Sequence, residues 1–168
     1  AISRADIVVT AAPVQFSFSE VRIGVIPAVI SVVCIPKLGT HHAMKLFLTG
    51  ERFTGSEAVS MGLAHKAVAT VDLNNAVQEE IDAINLGGPI AVQECKKLVR
   101  RIRELSISEG FKETGAWSKR LFQSEEGAEG MAAGALLTRS STRSFLTYTP
   151  NPIPDGMSLV IKKLLYKI

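Results

Sequence analysis

Two cysteines in 168 residues are too few to staple a fold. They sit in apolar surroundings, SVVCIP around Cys34 and VQECKKLV around Cys95. Both read as small buried hydrophobes in a reducing compartment, which excludes a disulfide framework. The three histidines, His41, His42 and His65, lack metal-ligand spacing, and adjacent residues such as His41 and His42 face different sides of a helix, so no metal site is expected. No run approaches the roughly 18 uninterrupted apolar residues of a membrane-spanning helix, so no membrane partner is expected. Residues 1–12 contain no basic stretch leading into an apolar core, so they are not read as a secretory leader. Neither sign of charge dominates: the formal net charge is +3. Much of the basic charge lies in KKLVRRIR, Lys96 to Arg103, which reads as a solvated helix face. The alternative is a contact for a phosphate-bearing ligand or nucleic acid, but no RNA- or DNA-binding motif accompanies the run, and no nucleic-acid partner is expected.

What is present is globular. Hydrophobic residues make up 46% and charged residues 21%, enough to bury a core in one domain of ordinary size. A mean hydropathy of +0.22 is high for a domain that stands alone, and the surplus is expected at interfaces with another subunit or with a part of the protein outside this sequence. The chain opens without methionine in the run-up to a strand, ADIVVTAA, which is read as a fragment beginning in mid-fold.

The β-branched run Ile7 to Thr10 predicts a buried strand, and Val14 to Ser19 a second. Pro27 fits the first turn of a helix that Pro36 is expected to interrupt, with Thr40 capping a continuation over His41 to Leu48 that ends at Gly50. Thr54-Gly55-Ser56-Glu57 is a capping box for a short helix stopping at Gly62, and LAHKAVA predicts a short strand. Asp72 is placed as the cap of an amphipathic helix closed by Gly87-Gly88, and Pro89 starts a helix through Ile102. Ser106 to Glu109 is a second capping box opening a helix to about Phe122, followed by a short helix from Ser124 to Ala133. Beyond Gly134 the sequence turns polar and patternless, then rich in proline. No structure is assigned to Arg139 to Gly156, and MSLVIKKLLYKI suits either a strand or an amphipathic helix. The expected division is a body over residues 1–133 and a poorly specified tail over 134–168.

One position breaks its own pattern. Along VQFSFSE, Val14, Phe16 and Phe18 point one way and Gln15, Ser17 and Ser19 the other; the next residue on the apolar side is Glu20. From Val21 onward the apolar parity is reversed, so Glu20 lies where regular pairing must end or bulge. From the residues alone it reads either as a strand-end glutamate facing water or as an acid held on an apolar face. Burial among apolar groups favours the protonated form of a carboxyl, and a general acid has to be protonated part of the time.

FSFSEVRIGVIPAVIS and LFLTGERFTGSEAVSMGLAHKAV resemble the enoyl-CoA hydratase/isomerase (crotonase) superfamily, through Phe16, Glu20, Gly24, Pro27, Leu48, Thr49, Gly50, Ala58, Gly62 and Leu63 in order and spacing. SEEGAEGMAA, starting at Ser124, resembles the family's carboxy-terminal stretch through Glu129, Gly130 and Met131. The resemblance implies an α/β fold: part of a crotonase-like core (the ClpP/crotonase spiral) with a carboxy-terminal helical region, its amino-terminal part missing. It implies that Glu20 is one of two carboxylates that hold the reacting water in hydration of a short or branched 2-enoyl-CoA, with Phe18, Pro27 and Ala28 at the substrate. No cofactor is implied beyond CoA, which enters as part of the acyl-CoA substrate. The expected assembly is a homo-oligomer, trimer or hexamer, in the cytoplasm, or in the mitochondrion if the source is eukaryotic.

Departures from the pattern shape these expectations. Counting back from Asp6, the first carboxylate and the glycine-rich turn that supplies an oxyanion-hole N–H fall just before Ala1, with the second donor further upstream. Such donors are worth about 10²–10³ in rate each. Pro27-Ala28-Val29-Ile30-Ser31 stands where many members have P-G-x-G-G, and side chains at Val29 and Ile30 are expected to narrow the pocket. The family's G-M-x-A-F-x-E-K-R is here GMAAGALLTRSSTR, an abrupt change read as an altered reading frame or splice. The alternative function is a catalytically inactive crotonase-like subunit that associates with other subunits through apolar helix faces.

Overall fold

The computed structural model describes the backbone of residues 5–139 and the side chains of residues 5–134; the segment from 140 onward, including the proline-rich stretch and MSLVIKKLLYKI, lies outside the described residues. By compactness the described residues form two units, one running to Glu80 and the other beginning at Ile81.

The first unit is built on two pairs of short strands. β1 (Val9–Ala11) runs parallel to β4 (Lys66–Val68), pairing Val9 with Lys66 and Ala11 with Val68. β2 (Gln15–Ser17) runs antiparallel to β3 (Arg52–Thr54), with Phe16 opposite Phe53. Both predicted strands are present but shorter, because residues 12–14 turn the chain and a 3₁₀ helix begins at Ser19. Between β2 and β3 lies α1 (Ala28–Thr49). Helical structure continues through Pro36 and departs from helical geometry at Gly39 (φ 68°, ψ 166°), three residues later than expected. The carbonyl that Pro36 cannot serve belongs to Val32, an exposed residue whose backbone water can satisfy, whereas only glycine takes the positive φ of the kink without strain.

Thr54 closes its capping box as predicted. Its hydroxyl accepts from the Glu57 N–H (3.2 Å), and the Glu57 carboxylate accepts from the Thr54 N–H (2.6 Å), starting α2 (Gly55–Ser60). Gly55 is required by proximity, since a β-carbon there would collide with the Ala11 carbonyl. That contact seats α2 on β1. The core collects Val8, Phe18, Leu38, Leu46, Phe53 and Leu63, with Leu46 only 1% exposed. Cys34 is buried in the same cluster as expected, and burial pushes its thiol pKa up against the opposing pull of nearby Lys37. The chain then enters α3 (Leu73–Asn85) through a 3₁₀ turn over Thr70–Asp72, so Asp72 belongs to that turn.

The second unit is helical. α4 (Pro89–Arg101) passes through a 3₁₀ turn (Ile102–Glu104) to α5 (Ile107–Phe122), which the Ser106/Glu109 capping box opens as expected. α6 (Glu125–Arg139) runs past the predicted end at Ala133 and through Gly134. The carboxylate of Glu126, on α6, accepts from the N–H groups of Ile90 (2.9 Å) and Ala91 (2.8 Å), satisfying two free donors at the start of α4. Cys95 is exposed rather than buried, since it lies on the side of α4 that borders an open groove.

Candidate functional site

Glu20 occupies the 3₁₀ helix Ser19–Ile23. Alternation along β2 ends at Ser17, so strand parity is not what places Glu20; the tighter turn does. Gly24 terminates the turn in the left-handed region (φ 80°), donating its N–H to the Val21 carbonyl (3.2 Å), while the Val25 N–H reaches the Glu20 carbonyl (3.2 Å). The Glu20 residue is half-buried, and its Oε2 atom is shut off from solvent without a hydrogen-bonding partner among the described residues. A buried polar oxygen left without a donor costs about 1–3 kcal/mol, which is why such atoms are rare outside functional sites.

The other sequence-predicted site residues lie close by in the chain but face different surroundings. Phe18 is 8% exposed and packs edge-on against Phe47 (centroids 4.8 Å) and stacked on Phe53 (5.9 Å). Phe16 also meets Phe53 (5.6 Å). Pro27 is buried immediately before α1, and Ala28 is exposed in its first turn. Val29 and Ile30 diverge: Ile30 packs against the core, while Val29 is 90% exposed. Only Val29 of the two projects away from the core. With Ile23, Val25, Ile26 and Val32 it forms an exposed apolar row that begins where the acid-bearing turn ends.

Two cations of the basic run, Lys97 and Arg101, form ion pairs within the chain. Arg101 binds Glu113 through Nε (2.9 Å) and Glu104 through Nη1 (3.1 Å), which raises its own pKa; the Arg101 guanidinium holds the Glu113 carboxyl below the usual range. Lys97 pairs with Glu94 (2.6 Å). Glu94 also accepts from Trp117 Nε1 (2.6 Å) and Arg120 (3.2 Å), and these bonds, led by that from Lys97, hold its carboxyl low. A groove of about 400 Å³ beside it is lined by Cys95, Leu98, Phe111, Trp117 and Leu121. No local pattern announces this groove, because its lining comes from two helices and neither alone signals it. The rings of His41 and His42 meet edge to face (5.4 Å), and the described residues hold no group of three or more metal-ligating side chains.

Over residues 2–135 the sequence matches the enoyl-CoA hydratase/isomerase family, and the chain belongs to that family. It is 31% identical over 136 residues to the carnitinyl-CoA dehydratase of Proteus mirabilis, covering 78% of this chain and 52% of that protein. It is also 31% identical over 120 residues to the peroxisomal Delta(3,5)-Delta(2,4)-dienoyl-CoA isomerase of Arabidopsis thaliana, covering 70% of this chain and 43% of that one. Among solved structures, an enoyl-CoA hydratase from Shewanella pealeana superposes with a TM-score of 0.72 at 30% identity, over 85% of this chain and 53% of that one. The chain thus spans about half the length of the relatives it matches. The fold is the crotonase fold in part, as expected.

Proposed function

We propose that the protein is an enoyl-CoA hydratase-like enzyme in which Glu20 exchanges a proton during reversible addition of water to a short or branched 2-enoyl-CoA. Water adds across the conjugated double bond, its hydroxyl going to the β-carbon and a proton to the α-carbon, with no change of oxidation state. The observation that carries the reading is the enclosed, unpartnered Oε2 of Glu20, an oxygen with capacity to hold a water molecule or a proton. The reading requires two N–H donors at the thioester oxygen and a second carboxylate, which the resemblance assigns to segments upstream of Ala1. Phe18, Pro27 and Ala28 are proposed at the substrate on the same basis. CoA arrives with the substrate, and no further cofactor is proposed. The two free thiols suit a reducing compartment, and the cytoplasm, or the mitochondrion of a eukaryote, is proposed with it. No described helix is long and apolar enough to cross a membrane.

The test is hydration of crotonyl-CoA, followed as loss of its conjugated absorbance, in a parent protein that joins this chain to those upstream segments and in its Glu20→Gln variant. Loss of a positioned general acid–base is expected to lower the rate by about 10²–10⁴. Hydration that survives the substitution undiminished would overturn the assignment.

A second reading, a catalytically inactive subunit that associates with other subunits, is favoured by the exposed apolar row Ile23, Val25, Ile26, Val29 and Val32. It predicts a homo-oligomer, trimer or hexamer, by light scattering, together with no hydration by parent or variant.

A further inference from the structure

Both flanks of Glu20 converge on one glycine. On the amino-terminal side, the Ser17 hydroxyl donates to the Gly50 carbonyl (3.0 Å). The Phe18 carbonyl would lie 3.3 Å from a β-carbon on Gly50. On the carboxy-terminal side, Arg22 borders the same position, its Nε 3.1 Å and its Cγ 3.4 Å from where that β-carbon would stand. Gly50 itself ends α1 in the left-handed region (φ 58°, ψ 23°) and donates its N–H to the Leu46 carbonyl (3.0 Å), and Leu46 is among the most deeply buried side chains. A side chain at residue 50 would therefore meet strain in its own backbone and crowding from the turn at once. At its carboxy-terminal end the turn is closed by the Gly24 and Val25 hydrogen bonds, and short 3₁₀ segments are weakly held by their own bonding.

We propose that Ser17, bonded to Gly50, and Arg22, packed beside it, are positioning residues that fix the Glu20-bearing turn to the buried end of α1. They touch no reacting atom; they act by restricting where the carboxyl can go. A residue that must present a carboxyl within a few tenths of an ångström needs its backbone anchored on both sides, and one strand end plus a five-residue turn does not supply that alone. The inference deepens the hydratase reading in its catalytic consequence and rests on it there, while the anchoring itself does not.

The test has two readouts: backbone order in the 168-residue chain, and hydration in a protein that joins this chain to the upstream donors and carboxylate. Backbone ¹⁵N order parameters of Glu20 to Gly24 are expected near those of rigid backbone, about 0.85, in the parent and to fall toward about 0.6 in Ser17→Ala and Gly50→Ala. Ser17→Thr, which keeps the hydroxyl, is expected to restore them, and the amides of Leu63 and Ala64 should stay rigid in all variants. In crotonyl-CoA hydration, Ser17→Ala is expected to lower kcat about tenfold with KM unchanged and Ser17→Thr to recover it. Unchanged order parameters across the turn in both Ser17→Ala and Gly50→Ala overturn the proposal, as does loss of order that extends equally to Leu63 and Ala64. If the turn loosens as expected but Glu20→Gln leaves hydration intact, the anchor stands and the catalytic reading falls.

Discussion

Each cysteine and leucine carries a consequence of its own environment. The thiolate is the reactive form, and burial raises the Cys34 pKa, so Cys34 should be silent to a thiol reagent at neutral pH while exposed Cys95 reacts. Titration with a chromogenic disulfide is expected to count one thiol in the native protein and two after denaturation. Two accessible native thiols would mean that the Cys34 cluster is not closed. Leu46 fills the centre of the first unit, and Leu46→Ala should remove about 2–5 kcal/mol of stability, read from the denaturant midpoint. Glu20 shows how far single-residue reasoning reaches. The break in alternation at that position was visible in the sequence, but its cause was not. The carboxyl is set by a 3₁₀ turn, and Phe16 and Phe18, expected on the same apolar face, are engaged with Phe47 and Phe53 from distant parts of the chain.

Elements here are fixed largely by their ends. Both capping boxes were legible because the interacting groups lie three residues apart, within reach before any tertiary structure forms. Removing the cap in Thr54→Ala is expected to cost about 0.5–2 kcal/mol, measured by denaturant unfolding. The same bonds set a pH dependence. Hydrogen bonds from the Thr54 N–H and then its hydroxyl hold the Glu57 carboxyl below the usual carboxylate range, and the Ser106 hydroxyl and N–H do the same for Glu109. The folded state therefore binds these protons more weakly than the unfolded chain. The contribution is complete above the ordinary carboxylate pKa of about 4.3 and is lost as pH falls through the lower folded values. Parent stability should decline below about pH 4.3, and the Thr54→Ala, Ser106→Ala pair should decline less steeply there. An unaltered slope in the double variant would show that other carboxylates dominate. Helix ends without a local cap were read less well. The α1 kink sits at Gly39 rather than Pro36, since an exposed carbonyl tolerates proline, and α6 runs on past Ala133. The donors at the start of α4 are met by Glu126, 36 residues away from Ile90, a partner no local pattern announces.

For the molecule as a whole, mean hydropathy and exposed surface tell one story. The value of +0.22 is matched by an apolar row from Ile23 to Val32 left uncovered by the described residues. Introducing charge there, Ile26→Glu with Val29→Glu, is expected to lower the apparent mass by light scattering and to reduce binding of a hydrophobic dye, with little loss of fold because neither side chain contributes to the core. An unchanged mass would place any self-association elsewhere. Family and partial fold were readable because ten anchor residues keep fixed offsets, and such offsets record backbone requirements: a left-handed glycine at Gly50, a proline before a helix at Pro27. By itself the sequence determined what depends on near neighbours: helix caps and short strands. Only the tertiary structure decided what depends on groups far apart in the chain, namely the enclosure of Glu20 Oε2, the approach of Ser17 and Arg22 to Gly50, and the exposure of Cys95. The physical reason is that burial and contact belong to surfaces assembled from several elements, and no local periodicity encodes which surfaces will meet.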